Sequence, residues 1–312
     1  MTNSPDPVPD LTQRVSAQRM RADLFHLSKD PLPYRKLNAT LPGHAQNTLH
    51  EADDFLGAQL GAAGYVVERE GVQVQCFRCD ASKPKAQQYS PPHAGDPWYT
   101  AYNLYAKKTG TDRPGEILIV CSHKDSQSWC DSPGANDNAI GAVGNLELAR
   151  ALADYESRRS MWFLFCNEEH KPWTSVAAAE NAARRGDKIV AVFNLDGIGV
   201  KSVADTQAGR KTNVTAYTEP EGKRLADLMA EVNQAYGIGL EQTCAKRENP
   251  GDDDGSFVKA GFPAAVVNIG SWPYADPNYH RETDVPELTD LDNAGLAVQA
   301  TLAALMRLDA AD

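Results

Sequence analysis

Ile117-Leu118-Ile119-Val120-Cys121-Ser122-His123-Lys124-Asp125 is the stretch that decides the fold. Its apolar, β-branched opening, unbroken by polar residues, reads as a strand buried on both faces. The same pattern recurs at 161–165, 189–193 and 264–267. Helix-like stretches fit at 140–155, 175–185, 219–236 and 288–308. Buried strands separated by crossover helices predict an α/β fold with parallel strands at its centre. Each run also leads into acids or histidines. His123 and Asp125 end the first, and a loop Gly134-Ala135-Asn136-Asp137-Asn138 follows. Glu168 and Glu169 come after the second, Asp196 closes the third, and Tyr279-His280 follow the fourth.

Ligands of open α/β sheets bind outside the carboxyl ends of the strands, so this shared placement argues for one site. Two imidazoles, three ligand carboxylates and a spare carboxylate suffice for a pair of divalent cations and an activated water. A neutral imidazole ligates through one nitrogen when an acceptor fixes the other, and Asp125 stands two residues beyond His123 to do so. Asp137 lies in a tight Pro-Gly loop that can aim a short carboxylate at two cations, which makes it the candidate bridge. Side chains of the adjacent Glu168 and Glu169 diverge in an extended backbone, so one binds metal and the other handles protons. Singly, each of these has an ordinary explanation: a helix N-cap, a solvated acidic pair, a chance His-x-Asp. Their order and common position at strand ends carry the reading.

Composition narrows the rest. A chain of 312 residues with 42% hydrophobic and 23% charged residues fits a soluble globular protein. One domain over 10–312 is expected, after a flexible tail at 1–9. The tail is rich in Pro and Asp and has neither a basic start nor an apolar segment, so a cytoplasmic location is expected. No apolar run reaches the roughly 18 residues of a membrane span. The net charge of −11 disfavours nucleic acid as a partner. Six cysteines are too few for a disulfide scaffold, and Cys76 and Cys79, with no second pair, read as packed thiols rather than zinc ligands. Helices are expected at 11–27 and 46–62, half-exposed strands near a sheet edge at 65–78 and 99–107, and surface loops at 79–98 and 201–213. His26, His44, His50 and His93 read as surface or packing residues. Trp129, Trp173 and Trp272 sit in loops near the motifs, where packing is the favoured role over a pocket wall.

These motifs resemble the M28 family of zinc exopeptidases, over roughly 99–308. The likeness rests on Ser122-His123-Lys124-Asp125, Ser132-Pro133-Gly134-Ala135-Asn136-Asp137-Asn138, Asn167-Glu168-Glu169, Leu195-Asp196, and Tyr279-His280 with Glu282-Thr283-Asp284. The Ser-Pro-Gly-Ala-x-Asp-Asn block is the most specific of them. The resemblance implies a three-layer α/β sandwich, a mixed, mostly parallel sheet between helices. It implies two zinc ions, one held by His123 and Asp196, the other by Glu169 and His280, with Asp137 bridging. Glu168 is then the general acid/base, Asp125 orients His123, and the Asp137–Asn138 peptide is cis. Tyr279 matches a tyrosine some members use near the developing oxyanion, or it is a packed aromatic. Two segments depart from the family pattern. His170-Lys171-Pro172-Trp173-Thr174-Ser175 replaces a Gly and Gly-Ser pattern and is expected to border the substrate. In Pro250-Gly251-Asp252-Asp253-Asp254-Gly255-Ser256-Phe257, Asp253 matches the family's acid on the substrate side.

The function implied is an aminopeptidase acting on peptide or aminoacyl substrates. Glutaminyl cyclases share these motifs but use one zinc, and the five-ligand set here favours two. M20-type deacylases and carboxypeptidases insert a lid domain before their last histidine. The 84 positions from Asp196 to His280 read as ordinary helix and strand instead. A binding module on a retired peptidase fold is expected to have lost ligands or the base, and none is missing. Nothing in the pattern speaks to oligomeric state.

Overall fold

In the computed structural model, which describes residues 6–312, helices α1 (Val8–Thr12), α2 (Ala17–Ser28) and α3 (Thr48–Ala62) come first. Of the tail expected at 1–9, residues 1–5 lie outside the described residues. Residues 8 and 9 belong to α1, where Val8 is buried. Next come β1 (Val67–Cys76), the two-residue strands β2 (Arg78–Cys79) and β3 (Tyr89–Ser90), β4 (Tyr99–Lys108) and β5 (Arg113–His123). The chain continues through α4 (Ile140–Ala151), β6 (Arg159–Cys166), β7 (His170–Lys171), α5 (Thr174–Arg185), β8 (Lys188–Leu195) and α6 (Val203–Gln207). It ends with β9 (Thr212–Tyr217), α7 (Pro220–Ala235), β10 (Glu241–Lys246), α8 (Asp252–Lys259), β11 (Ala265–Ile269) and α9 (Leu291–Ala310).

Nine strands form one sheet in the order β10-β9-β11-β8-β5-β6-β4-β1-β7. Its centre, β11-β8-β5-β6, is parallel, with Val120 opposite both Phe163 and Phe193. The pairs β4–β6, β1–β4 and β9–β11 are antiparallel, so the sheet is mixed. The four apolar runs are the four central strands because only strands covered on both faces can hide such runs. One face packs a large core under α2, α4, α7 and α9. The other carries a smaller core in which Ile119 and Cys121 meet Ala178, Ala179 and Phe257 of α5 and α8. Strand β1 lies toward an edge and is half-exposed, as its alternation predicts, whereas β4, expected to be half-exposed as well, is buried over 103–106 between β1 and β6.

Four elements between β8 and β11 differ from the sequence expectation. The stretch read as a loop at 201–213 holds α6 and the start of β9, and β10 and α8 were not anticipated. Strand β10 is mostly exposed and polar, Glu241-Gln242-Thr243-Cys244-Ala245-Lys246, so it has no apolar period to detect. Hydrogen bonding to β9, a tertiary event, makes it a strand. No helix of the described residues is long and apolar enough to cross a membrane.

Candidate metal centre

The carboxyl ends of β5, β6 and β8 converge, and the loop from β11 to α9 crosses above them. At that junction Asp137 faces two imidazoles at once. Its Oδ1 lies 3.2 Å from His123 Nε2, and its Oδ2 lies 3.2 Å from His280 Nε2. His123 Nε2 is also 3.8 Å from Asp196, and His280 Nε2 is 3.4 Å from Glu169. Two sets of ligand atoms result, His123/Asp137/Asp196 and Asp137/Glu169/His280, each gathered within 4.8 Å and sharing Asp137. Each set could hold one metal ion, with nitrogen and carboxylate donors of the kind zinc takes.

Both imidazoles are held in the tautomer such a centre needs. His280 Nδ1 donates to the Ala86 carbonyl at 2.8 Å, and His123 Nδ1 donates to Asp125 Oδ1 at 3.2 Å. Each ring therefore turns a lone pair on Nε2 toward the carboxylates. Asp125 does more than hold His123. Its oxygens accept the backbone N–H groups of Glu168 (2.9 Å) and Glu169 (2.8 Å) and the Nδ1–H of His170 (2.7 Å). Burial acts to raise the Asp125 carboxyl, but the two imidazoles hold it well below the usual carboxylate range. His170, expected to border the substrate, is instead fully buried behind Asp125. Only the later part of that segment, at Trp173, reaches the cavity.

The bridging carboxylate is placed by its own loop. Gly134 has φ +56°, and a Cβ there would lie 2.6 Å from the Asp137 carbonyl oxygen, so the turn requires glycine. The Asp137–Asn138 peptide is cis, as expected. Asp284 accepts the N–H groups of Asn136 and Asp137 at 2.9 and 3.0 Å, and burial pushes its carboxyl up to about 8. Gln127 Nε2 donates to Asp137 Oδ2 and Glu169 Oε1, both at 2.8 Å. Below the loop, Arg35 is completely buried. Its guanidinium donates to the carbonyls of Lys124 (2.6 Å), Pro133 and Gly134 (both 2.8 Å), and Leu27. Burial brings it down to about 10, still charged at neutral pH, while Asp125, Asp284 and Asp137 oppose that shift. Lys124, also buried, pairs with Asp53 of α3 at 3.0 Å and donates to Asn167 at 2.6 Å, tying the β5 and β6 loops together.

Glu168 faces the cavity beside Asp196 and Asp252, with ligand atoms of the three within 4.8 Å. Burial, then Asp252 and Asp253, push the Glu168 carboxyl well above its ordinary value. Asp253, the acid expected on the substrate side, does not line this cavity. Asp253 is wholly buried, with burial raising it to about 7, and Asp252 lines the cavity instead. Successive residues of a helix point about 100° apart, so in the first turn of α8 only one of the two can face the site. Asp252 takes φ +56°, a left-handed conformation aspartate tolerates. Arg247 Nη1 donates to it at 2.8 Å, while Nη2 holds Asp254.

The cavity over these acids measures about 250 Å³. Its walls are aromatic: Phe77, Tyr89, Trp129, Trp173, Trp272, Tyr274 and Tyr279, so all three tryptophans read as packing residues in fact line the site. Tyr279 stacks on His280 at 3.7 Å between ring centres, which satisfies the packed-aromatic reading and also puts it at the cavity. Phe77 comes from the end of the strand expected at 65–78, and the segment 79–98, expected as a plain surface loop, supplies Tyr89 and the Ala86 carbonyl. Sequence reasoning missed Arg35, Gln127, Asp252 and this segment. None lies at the end of an apolar run, and the only available signal was the Asp triplet at 252–254.

A model of peptidase family M28 matches residues 103–305, which contain every motif above. A probable zinc metalloprotease of Pyrenophora teres f. teres is 23% identical over 249 residues, 67% of this chain and 52% of that protein. The chain spans about half the length of the curated relatives it matches first. Among solved structures, an aminopeptidase from Aneurinibacillus sp. strain AM-1 superposes with a TM-score of 0.72 at 15% identity, covering 96% of this chain and 95% of that one. A glutaminyl cyclase of Fimbriiglobus ruber superposes with a TM-score of 0.67 at 17% identity, covering 94% and 95%. At these identities the likeness is one of fold.

Proposed function

The chain belongs to peptidase family M28, and from that premise we propose that it is a di-zinc aminopeptidase releasing an apolar N-terminal residue from peptides. The observation that carries the proposal is the Asp137 carboxylate, one oxygen 3.2 Å from each imidazole, with a further carboxylate beside each ring. His123 and Asp196 would hold one ion and Glu169 and His280 the other, with Asp137 shared between the two sets. When bound, the ions supply Lewis acidity, polarising a carbonyl and acidifying water.

The protein's own groups do the rest. Glu168 takes the proton of the attacking water and returns it to the departing nitrogen, as a cavity-facing carboxyl that burial raises above its ordinary value is suited to do. Asp125 keeps that carboxylate in place through the Glu168 N–H. Asp252, held by Arg247, and Asp196 present negative charge to the substrate's α-ammonium. Tyr279 stands at the cavity wall where a carbonyl oxygen gathers charge. The aromatic lining supports an apolar first side chain and excludes bulk water.

The test is hydrolysis of leucine p-nitroanilide and of its N-acetylated form by the zinc-loaded protein. Free-amine substrate alone should be cleaved. Glu168→Gln should lower kcat by about 10²–10⁴-fold while binding the same amount of zinc. Preferential cleavage of the acetylated compound, or full activity in Glu168→Gln, ends the proposal. The fold shared with a glutaminyl cyclase keeps cyclisation as the rival. It predicts one functional zinc and ring closure of an N-terminal glutamine without peptide cleavage.

A further inference from the structure

A second cavity, of about 490 Å³, adjoins the metal-centre cavity and shares three of its walls, Phe77, Tyr89 and Trp173. The two differ sharply in charge. The inner one carries Asp137, Glu168, Glu169, Asp196 and Asp252, whereas no carboxylate lines the outer one, where Lys83 and Lys171 stand among aromatic and proline rings. In a chain of net charge −11, two cations among the lining residues of one cavity, with no acid lining it among the described residues, run against the background. The Lys171 ammonium makes no hydrogen bond or ion pair among the described residues, its backbone alone pairing with β1. Lys83 donates to the Tyr89 carbonyl at 2.7 Å, with Asp80 at 3.6 Å. An ammonium has three donors, so that carbonyl leaves Lys83 further donors to offer.

We propose that the outer cavity is a carboxylate subsite in which Lys83 and Lys171 hold the C-terminal carboxylate of a di- or tripeptide. The inference rests on the aminopeptidase reading and gives it a substrate class. Acids at the inner end match an α-ammonium, lysines at the outer end match a carboxylate, and Trp173 with Phe77 between them matches an apolar second side chain. A zwitterionic short peptide is complementary along its whole length, and a long chain loses the outer contact because its carboxylate lies elsewhere. The lysines are fixed to the catalytic residues by the backbone: Lys171 is two positions from Glu169, and Lys83 lies in the segment whose Ala86 carbonyl orients His280.

The experiment compares leucyl-phenylalanine and leucyl-glycyl-phenylalanine with their C-terminal amides. At least one pair should show kcat/KM for the free acid exceeding that for the amide by roughly fivefold, the sum of two partly exposed ion pairs. The difference should lie in KM and narrow in about 0.5 M NaCl, where exposed charges are screened. In Lys83→Ala/Lys171→Ala the ratio should fall to about one, and in Lys83→Glu/Lys171→Glu it should invert. Equal turnover of acid and amide in the wild type, or a ratio that survives in the double alanine variant, overturns the proposal. So does leucyl-glutamyl amide gaining as much as the free acid, which assigns the subsite to an acidic side chain. If no peptide is cleaved, the aminopeptidase reading fails separately. Calorimetric binding of the acid and amide forms to zinc-loaded Glu168→Gln then decides the subsite, acid binding tighter for it and equal binding against it.

Discussion

Asp137 can bridge only if its loop cannot relax, and Arg35 holds that loop from below. Four main-chain carbonyls, three of them on the ligand loops, receive hydrogen bonds from this one buried guanidinium. A lysine cannot replace it, because a single ammonium lacks the planar fork that reaches Lys124, Pro133 and Gly134 together. Arg35→Met should leave those carbonyls buried without donors and destabilise the protein by about 3–5 kcal/mol, measured by urea denaturation. A loss under about 1 kcal/mol would mean water or a neighbour replaces the guanidinium. Asp125 shows the same economy: it was expected to orient His123, and it also fixes both glutamates and His170. The role was legible from a two-residue spacing, while the extra partners, 43 to 45 positions away, were not.

At the scale of elements, helix caps and loops carry the site. Asp290 is the N-cap of α9, accepting from Asn293 N at 3.0 Å, and it pairs with Lys201 at 2.5 Å and Lys211 at 2.7 Å. It thereby ties α9 to the segment between β8 and β9. Burial acts to raise its carboxyl, but the two lysines and the Asn293 N–H bring it down to about 2. Its folded value is below its unfolded value of about 4, so its contribution is fully present above about pH 4 and is lost as pH falls toward about 2. Asp290→Asn keeps a capping oxygen and removes the charge. It should cost about 1 kcal/mol near neutral pH, discounted for partial exposure, and the difference in melting temperature from wild type should hold down to about pH 4 and shrink steadily between about pH 4 and pH 2. A constant difference over that range would mean that the ion pairs to Lys201 and Lys211 do not carry the effect. The 79–98 segment makes the complementary point. It is mostly polar and aperiodic, so its sequence reads as surface, yet Tyr89 packs edge-on to His280 at 5.7 Å between ring centres.

For the whole molecule, the centre concentrates Asp137, Glu168, Glu169, Asp196 and Asp252 in one cavity, and cations that bind the folded state alone stabilise it by mass action. Exhaustive chelation should lower the melting temperature by about 5 °C or more relative to protein in excess zinc. Titrating zinc back should restore it at two ions per chain. Full recovery at one ion would favour the single-zinc reading, and an unaltered melting temperature would remove the centre from the stability of the fold.

By itself the sequence determined the α/β class, the four central strands, and the ligand motifs with their order, because a strand buried on both faces must be apolar along its length and its end is where polar side chains can emerge. Tertiary structure alone decided that Asp252 rather than Asp253 meets the substrate cavity, that a polar segment becomes strand β10, and that Arg35, Gln127 and the Ala86 carbonyl support the ligands. Those outcomes depend on which face of a helix turns inward and on partners roughly 90 to 195 positions apart, as with Arg35 to Lys124 and Ala86 to His280. Local periodicity records how a residue meets its neighbours along the chain. It holds no trace of a hydrogen bond that exists only after the loops have been brought together.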